Sequence, residues 1–399
     1  MTAKLRIIVT GLIAQYPLGG VAWDYLQYVL GLARLGHDVY YVEDSGQWPY
    51  NPSEGGLAVD YRWNIAYLAN LMERFNLSQK WAYRLAEKAE WFGLSERQWR
   101  EVVQSADLLI NVSGTIDQVA DYRPVRRLAY IDSDPMFTQI HLSQGRSPLC
   151  AQVQAHDVHF TFGEHLSPLV PSTGHHWRPT RQPIVLDEWH PATPQRDVFT
   201  TVMNWTSYQD VVHVGRHYGQ KDVEFMRFLT LPGLVAPTVL ELAVNLGKTR
   251  HTPHALLRRH GWQLADPDRV CPDVDSYRHY IQSSKAEWSV AKHAYVAGDT
   301  GWFSCRSACY LAAGRPVVVQ DTGFSSILPV GKGLLAFTTL DEAAAAIQEL
   351  QAHYERHTIA ARSLAETYFN SDLVLTQLIE EAFRHDPVPQ PRDTSLAYG

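Results

Sequence analysis

The first forty or so residues constrain the fold more than any other stretch. Leu5 to Thr10 is a short apolar run, and Gly11 to Gly20 is a loop holding Pro17, Gly19 and Gly20. From Val21, apolar residues recur at Ala22, Leu26, Val29, Leu30 and Ala33, which is helical spacing. Gly36 stops that helix, as a residue free to turn left-handed would, and Val39 to Val42 is a second apolar run. Strand, helix and strand in this order form a βαβ unit, so the sheet is expected to be parallel with a right-handed crossover.

Further strands are expected at Leu108 to Val112, Arg127 to Ile131 and Val158 to Phe162, with helices over residues 61–104 between. Each of these strands ends in small or polar residues: Ser113-Gly114, Asp132-Ser133-Asp134 and Gly163-Glu164. Ligands of parallel sheets bind outside the carboxyl ends of the strands, so these endings are where chemistry is expected. Pro179, Pro183, Pro191 and Pro194 then crowd into residues 178–197, which read as an extended connector because each ring fixes φ and removes a donor. A second series follows: strands at Val198 to Met203, Leu240 to Asn245, around Trp288 to Ala291 and at Arg315 to Gln320, then a helix over Asp341 to Tyr354. The apolar face of Leu373 to Phe383 marks a strong amphipathic helix.

The expected organisation is therefore a first Rossmann-like domain over 1–180, a linker over 181–197 and a second Rossmann-like domain over 198–370. A crossover helix over 371–386 and a disordered tail over 387–399 complete it. A chain of 399 residues, 45% hydrophobic and 19% charged, can bury two such cores. Its net charge of −7 argues against nucleic acid or an anionic membrane as a broad electrostatic partner. No apolar stretch approaches the roughly 18 residues of a spanning helix. The N-terminus lacks the pattern of a signal peptide. A cytoplasmic protein is expected, with Cys150, Cys271, Cys305 and Cys309 as reduced thiols. Of the eighteen histidines, His175-His176, His251 with His254, and His156 with His159 lack the further ligands a zinc site needs, so no metal is expected.

Several segments suit an anionic ligand. Gly19 and Gly20 let backbone approach closely, and the helix that follows offers free N–H groups and the positive end of its dipole. A plain turn would look the same. The stretch Gly301-Trp302-Phe303-Ser304-Cys305-Arg306-Ser307 combines small hydroxyl residues, a guanidinium fork and an expected helix start near Ser307. Asp132 and Asp134 are the paired carboxylates best placed for acid–base work, although Asp-Ser-Asp-Pro also starts a loop well. Asp24, on the first helix, is a weaker rival.

Taken in order, these pieces resemble the group 1, or family 4-like, glycosyltransferases of the GT-B fold. Gly19-Gly20, the helix and Gly36-His37-Asp38-Val39 are similar to that family's opening. Tyr130 to Pro135 and His156 to Glu164 correspond to its next polar strand ends. Val214-Gly215-Arg216 with Lys221 is similar to its Val-Gly-Arg-x4-Lys, where arginine and lysine contact the donor diphosphate. Tyr310 to Val318 resembles its Glu-Ala-x-Ala-x-Gly-x-Pro-Val-Val, and Gln320-Asp321-Thr322-Gly323 its Thr-Asp-x-Gly.

The resemblance implies two Rossmann-like domains facing across a cleft, with the C-terminal helix packed back on the first domain. It implies sugar transfer from a nucleotide-sugar to the hydroxyl of a glycan, lipid or small-molecule acceptor, with no metal or other cofactor. Peripheral membrane contact is compatible with it. The implied donor-site residues are Gly19, Gly20, Arg216, Lys221, Glu287, Gly301, Trp302, Ser304, Arg306, Ser307, Asp321, Thr322 and Gly323. The chain departs from the family at its two glutamates, whose positions are occupied by Gly301 and Cys309; Glu287 or Asp321 would have to substitute. A nucleotide-sugar epimerase and a non-catalytic sugar-binding or scaffold protein are the alternatives on this architecture.

Overall fold

A computed structural model describes residues 4–145, 148–245 and 252–384. The expected tail over 387–399 and the last residues of the expected crossover helix lie outside the described residues. Two parallel sheets organise the chain. The first runs, from edge to edge, Trp177–Pro179, Val158–Thr161, Leu128–Asp132, Leu108–Val112, Arg6–Thr10, Asp38–Glu43, Trp81–Leu85 and Glu90–Gly93. All its pairings are parallel except the last, a hairpin. The second runs Gln263–Ala265, Val239–Asn245, Val198–Asn204, Ala286–Ser289, Val317–Gln320 and Leu334–Phe337, all parallel. In both, the chain reverses its direction of winding at the middle, and there the carboxyl ends of neighbouring strands open a crevice.

The central strands are almost wholly buried because helices cover both faces. The opening helix, Gly19–Arg34, lies on one face of the first sheet and buries Ala22, Leu26, Val29 and Leu32. It begins at Gly19 rather than Val21, so the glycine pair forms its first turn. One expected region differs. Residues 61–104, read as helical, contain helices Arg62–Arg74 and Glu96–Ser105 separated by the hairpin Trp81–Leu85 and Glu90–Gly93. Trp81 buries its ring in one core and Ala82 packs in another, so the short alternation there is that of a strand, outvoted in the sequence by the charged residues around it.

The two sheets share one interface. The closing helix, Ser371–Phe383, packs along the opening helix so tightly that a Cβ on Gly31 would stand 2.5 Å from Leu375 Cδ1. Arg127 Nε donates to the Ala382 carbonyl at 2.8 Å, and the 184–185 segment bonds to the backbone on either side of Asn370. Trp23 Nε1 donates to the Val274 carbonyl at 2.8 Å, joining the opening helix to helix Val274–Ser283 under the second sheet. His37, in the Gly-His-x-Val segment, is buried and accepts from the Leu5 amide, so its role is to tie the first strand to the end of the opening helix. Among the described residues no helix is long and apolar enough to cross a membrane.

Candidate active site

The carboxyl rims of the two sheets face each other, and the loop from Asp299 to Ser304 bridges them. Its shape requires glycine twice. Gly301 has φ +72° and a Cβ there would lie 2.5 Å from the His165 amide nitrogen; Gly323, at φ +95°, abuts Asp299 and Gly301. Gly301 N–H donates to the Thr322 carbonyl at 2.7 Å, and Thr322 Oγ1 donates to the Trp302 carbonyl at 2.5 Å. Asp321 accepts from the Gly323 amide and from Ser325, so it caps a turn. Trp302 crosses to the first rim: its Nε1 donates to the Ser133 carbonyl at 3.2 Å while its ring packs on Tyr295 at 4.5 Å between centroids. Ser133 and Ser113, at the ends of adjacent strands, share a hydroxyl–hydroxyl bond of 2.6 Å.

Behind this loop begins helix Cys305–Ala312. Ser304 precedes it without a side-chain cap, so the first-turn amides have no partner within the helix. Arg306 is held in the first turn. Its Nε donates to Glu287 Oε1 at 2.6 Å and its NH1 group to the Val202 carbonyl at 2.7 Å. Glu287 is completely buried in its strand, and among the described residues its other oxygen, Oε2, has no partner; nor has the buried hydroxyl of Ser307. Lys221 opens helix Lys221–Phe225 close by. Burial, together with the positive charges of Arg306 and Lys292, drives its ammonium well below the usual lysine range, with Glu287 opposing. Arg306 is thus paired with Glu287 and Lys292 with Asp134, while Lys221, beside both, lacks a negative charge that would hold its proton, and an anionic ligand would supply one. Among the described residues no three side chains gather as a metal site.

The remaining expected residues are placed differently. Gly19 does approach a backbone closely, but it is the chain's own: a Cβ there would collide with the Asp273 carbonyl and stand 2.6 Å from Tyr277 Cβ, while Gly20 faces the Tyr277 ring. Arg216 is exposed on a small hairpin, Val211–His213 with Arg216–Tyr218, whose turn carries Val214 and Gly215 at positive φ. The strand that a Gly-Arg pair would close ends at Asn204, and the residues at its carboxyl end are Trp205 and Thr206, both buried. The Val-Gly-Arg spelling therefore falls on that hairpin rather than at the strand's carboxyl end, and of the pair only Lys221 interacts with Arg306 and Glu287.

Asp132 is 1% exposed and accepts from the Asp134 amide, Thr138 Oγ1, Gln139 Nε2 and Thr161 Oγ1. Burial pushes its carboxyl up, and those bonds pull it partly back. With four donors around it, Asp132 organises the rim and leaves no oxygen for a substrate. Asp134 lies at the groove but is engaged across it by Lys292 Nζ at 2.9 Å and by the hydroxyls of Tyr208 and Tyr295. Lys292 also sits over the Tyr208 ring, 4.4 Å from its centroid.

Sequence reasoning missed Lys292, Tyr208 and Tyr295, whose order along the chain carries no motif. Asp24, the weaker rival on the opening helix, is half-buried; burial pushes its carboxyl up to about 7, and the positive charge of Arg306 opposes that rise. All four cysteines are unpaired.

No family model matches the chain, and no curated protein matches it either. Solved structures do. An alpha-glucosyltransferase in complex with UDP aligns over 96% of this chain and 100% of its own, at 12% identity and TM-score 0.57. AviGT4, a glycosyltransferase involved in avilamycin A biosynthesis, aligns over 95% and 97% at 13% identity and TM-score 0.55. HepE of Anabaena, in complex with UDP-glucose, aligns over 94% and 99% at 11% identity and TM-score 0.56.

The chain has the GT-B fold. Both Rossmann-like halves and the returning helix belong to that match, since it spans nearly the whole of each chain.

Proposed function

We propose that this GT-B protein is a glycosyltransferase that moves a sugar from a nucleotide-sugar donor to an acceptor hydroxyl. The observation that carries the reading is the second rim itself: Arg306 held in the first turn of helix Cys305–Ala312, beside uncapped amides and the buried Ser307 hydroxyl, with Lys221 nearby. A diphosphate leaving group gains negative charge as its bond to the sugar breaks, and fixed cations and N–H groups there stabilise the transition state more than the ground state. In this reading Ser304, Arg306, Ser307 and Lys221 hold the diphosphate. Glu287 keeps Arg306 in place, and Gly301, Trp302, Asp321, Thr322 and Gly323 shape the loop. The acceptor enters from the first rim, past Ser113 and Ser133. The structural relatives include complexes with UDP and with UDP-glucose, which favours a nucleotide-sugar as donor.

The test is thermal stabilisation by a panel of nucleoside diphosphates and their sugars. At a ligand concentration one hundred times its dissociation constant, binding adds about 2.7 kcal/mol of stability. At least one member of the panel should raise the unfolding temperature. No shift with any of them at millimolar concentration would refute the reading.

A further inference from the structure

We infer that the outer end of the first rim carries a second ligand site, a pocket that binds an uncharged saccharide unit outside the transfer groove. The inference does not depend on the sugar-transfer reading. The groove residues Ser113, Ser133 and Asp134 follow strands Leu108–Val112 and Leu128–Asp132, which lie on one side of Arg6–Thr10 in the sheet. The pocket is built on the other side, where Asp38–Glu43 and Trp81–Leu85 end. Parallel sheets bind ligands at the carboxyl ends of their strands, and here the rim offers a cavity of about 310 Å³, inside the roughly 300–1,000 Å³ of small-molecule sites.

Three elements build the walls. The hairpin pairs Arg84 with Trp91, so the two side chains share one face, and the guanidinium lies 5.8 Å from the centre of the indole. Helix Glu96–Ser105 turns Glu96, Trp99, Arg100 and Val103 toward the cavity at helical spacing. The turn Val119–Tyr122 supplies Asp121 and Tyr122. Asp44, the residue after strand Asp38–Glu43, is the most buried charged group of the lining, with its side chain 3% exposed. Its Oδ2 accepts from the Tyr122 hydroxyl at 3.0 Å and from Arg84 Nη1 at 3.4 Å, while among the described residues no donor meets Oδ1. Arg84 Nη1 also reaches Asp121 Oδ2 at 3.2 Å, and among the described residues its Nε and Nη2 have no acceptor. A deeply buried carboxylate oxygen and a guanidinium edge therefore stand side by side, one ready to accept and the other to donate.

That pairing selects the ligand. A sugar ring carries hydroxyls that each donate and accept, so neighbouring hydroxyls can bond a carboxylate oxygen and a guanidinium N–H at once. Its C–H face is apolar and suits an aromatic wall, here the half-buried Trp91 together with the buried Trp99 and Tyr122. A strongly anionic ligand is disfavoured, because Asp44, Glu96 and Asp121 outnumber Arg84 and Arg100, and Glu96 already holds Arg100 at 2.7 Å. A purely apolar ligand is disfavoured too, since it would strip water from Asp44 and Arg84 without replacing those bonds.

Calorimetric titration of the full chain with neutral disaccharides (maltose, cellobiose and lactose), each raised to tens of millimolar, tests the site. At least one of them should bind wild type. Trp91→Ala, which removes the wall, and Asp44→Asn, which removes the buried charge, should each weaken that binding by about tenfold. Arg97 is exposed on the same helix and outside the pocket, so Arg97→Ala should leave binding unchanged. A urea titration of each variant confirms that it is folded; Trp91 is only half-buried, so Trp91→Ala decides the matter even if Asp44→Asn is too unstable to measure. Stabilisation by nucleoside diphosphates should be the same in Trp91→Ala as in wild type, which keeps this test separate from that of the groove. Wild type that binds none of the disaccharides, or a folded Trp91→Ala that binds within about twofold of wild type, would overturn the inference. So would binding that is lost in Trp302→Ala and kept in Trp91→Ala, because the sugar would then sit in the groove.

Discussion

At the rim of the first sheet, Asp132 accepts four hydrogen bonds and Asn111 Oδ1 is met by Thr10 and Thr115. At the rim of the second, Glu287 Oε2, Ser307 Oγ and Thr206 Oγ1 are just as buried and have no partner among the described residues. The two halves share a fold and differ in how completely that rim is satisfied. A buried polar group without a partner costs roughly 1–3 kcal/mol, so it persists where something other than stability keeps it. The first rim is a finished platform that fixes loops, and the second is a socket whose unmet groups and crowded cations suit an anionic ligand.

The largest expected effect breaks the socket. Arg306→Met removes the one ion-pair partner of Glu287 among the described residues and should lower unfolding free energy by about 3–5 kcal/mol in a urea titration, because a fully buried carboxylate loses the guanidinium bonded to it. It should also abolish stabilisation by nucleoside diphosphates. Asp132→Ala breaks the platform instead. It leaves Thr138, Gln139 and Thr161 without an acceptor and should cost about 1–3 kcal/mol, while affinity for a nucleoside diphosphate, measured by calorimetry, stays within a few-fold of wild type. The sharpest contrast uses one substitution on both rims. Thr161→Val at the platform should destabilise by about 1 kcal/mol. Thr206→Val at the socket, which removes a buried hydroxyl that has no partner, should be neutral or stabilising by a few tenths of a kcal/mol. Equal losses at the two positions would erase the distinction between the rims.

Much of the fold was legible in the sequence, because parallel strands read as short apolar runs. Val198 to Met203 was expected and Val198–Asn204 is observed; Leu373 to Phe383 was expected within Ser371–Phe383. The hairpin at Trp81–Leu85 and Glu90–Gly93 was not legible, since its strands are short and the charges flanking them belong equally well on a helix.

The site was readable only in part. Residues 301–307 lie together at the groove because one loop carries them and adjacency in sequence becomes adjacency in space. Arg216 misled because three residues can spell a motif on an exposed hairpin, and Gly19 because close backbone approach has the same signature whether the partner is a phosphate or another helix. Asp134, Lys292, Tyr208 and Tyr295 meet across up to 161 positions of sequence, which no local pattern announces.

The central claim is that the second rim is an anion socket waiting for a diphosphate. A crystal structure with a bound nucleoside diphosphate tests it most directly. The account predicts the diphosphate at the start of helix Cys305–Ala312, within hydrogen-bond reach of the Ser304–Ser307 segment and of Lys221. A diphosphate bound elsewhere, with that segment and Lys221 untouched, would contradict it.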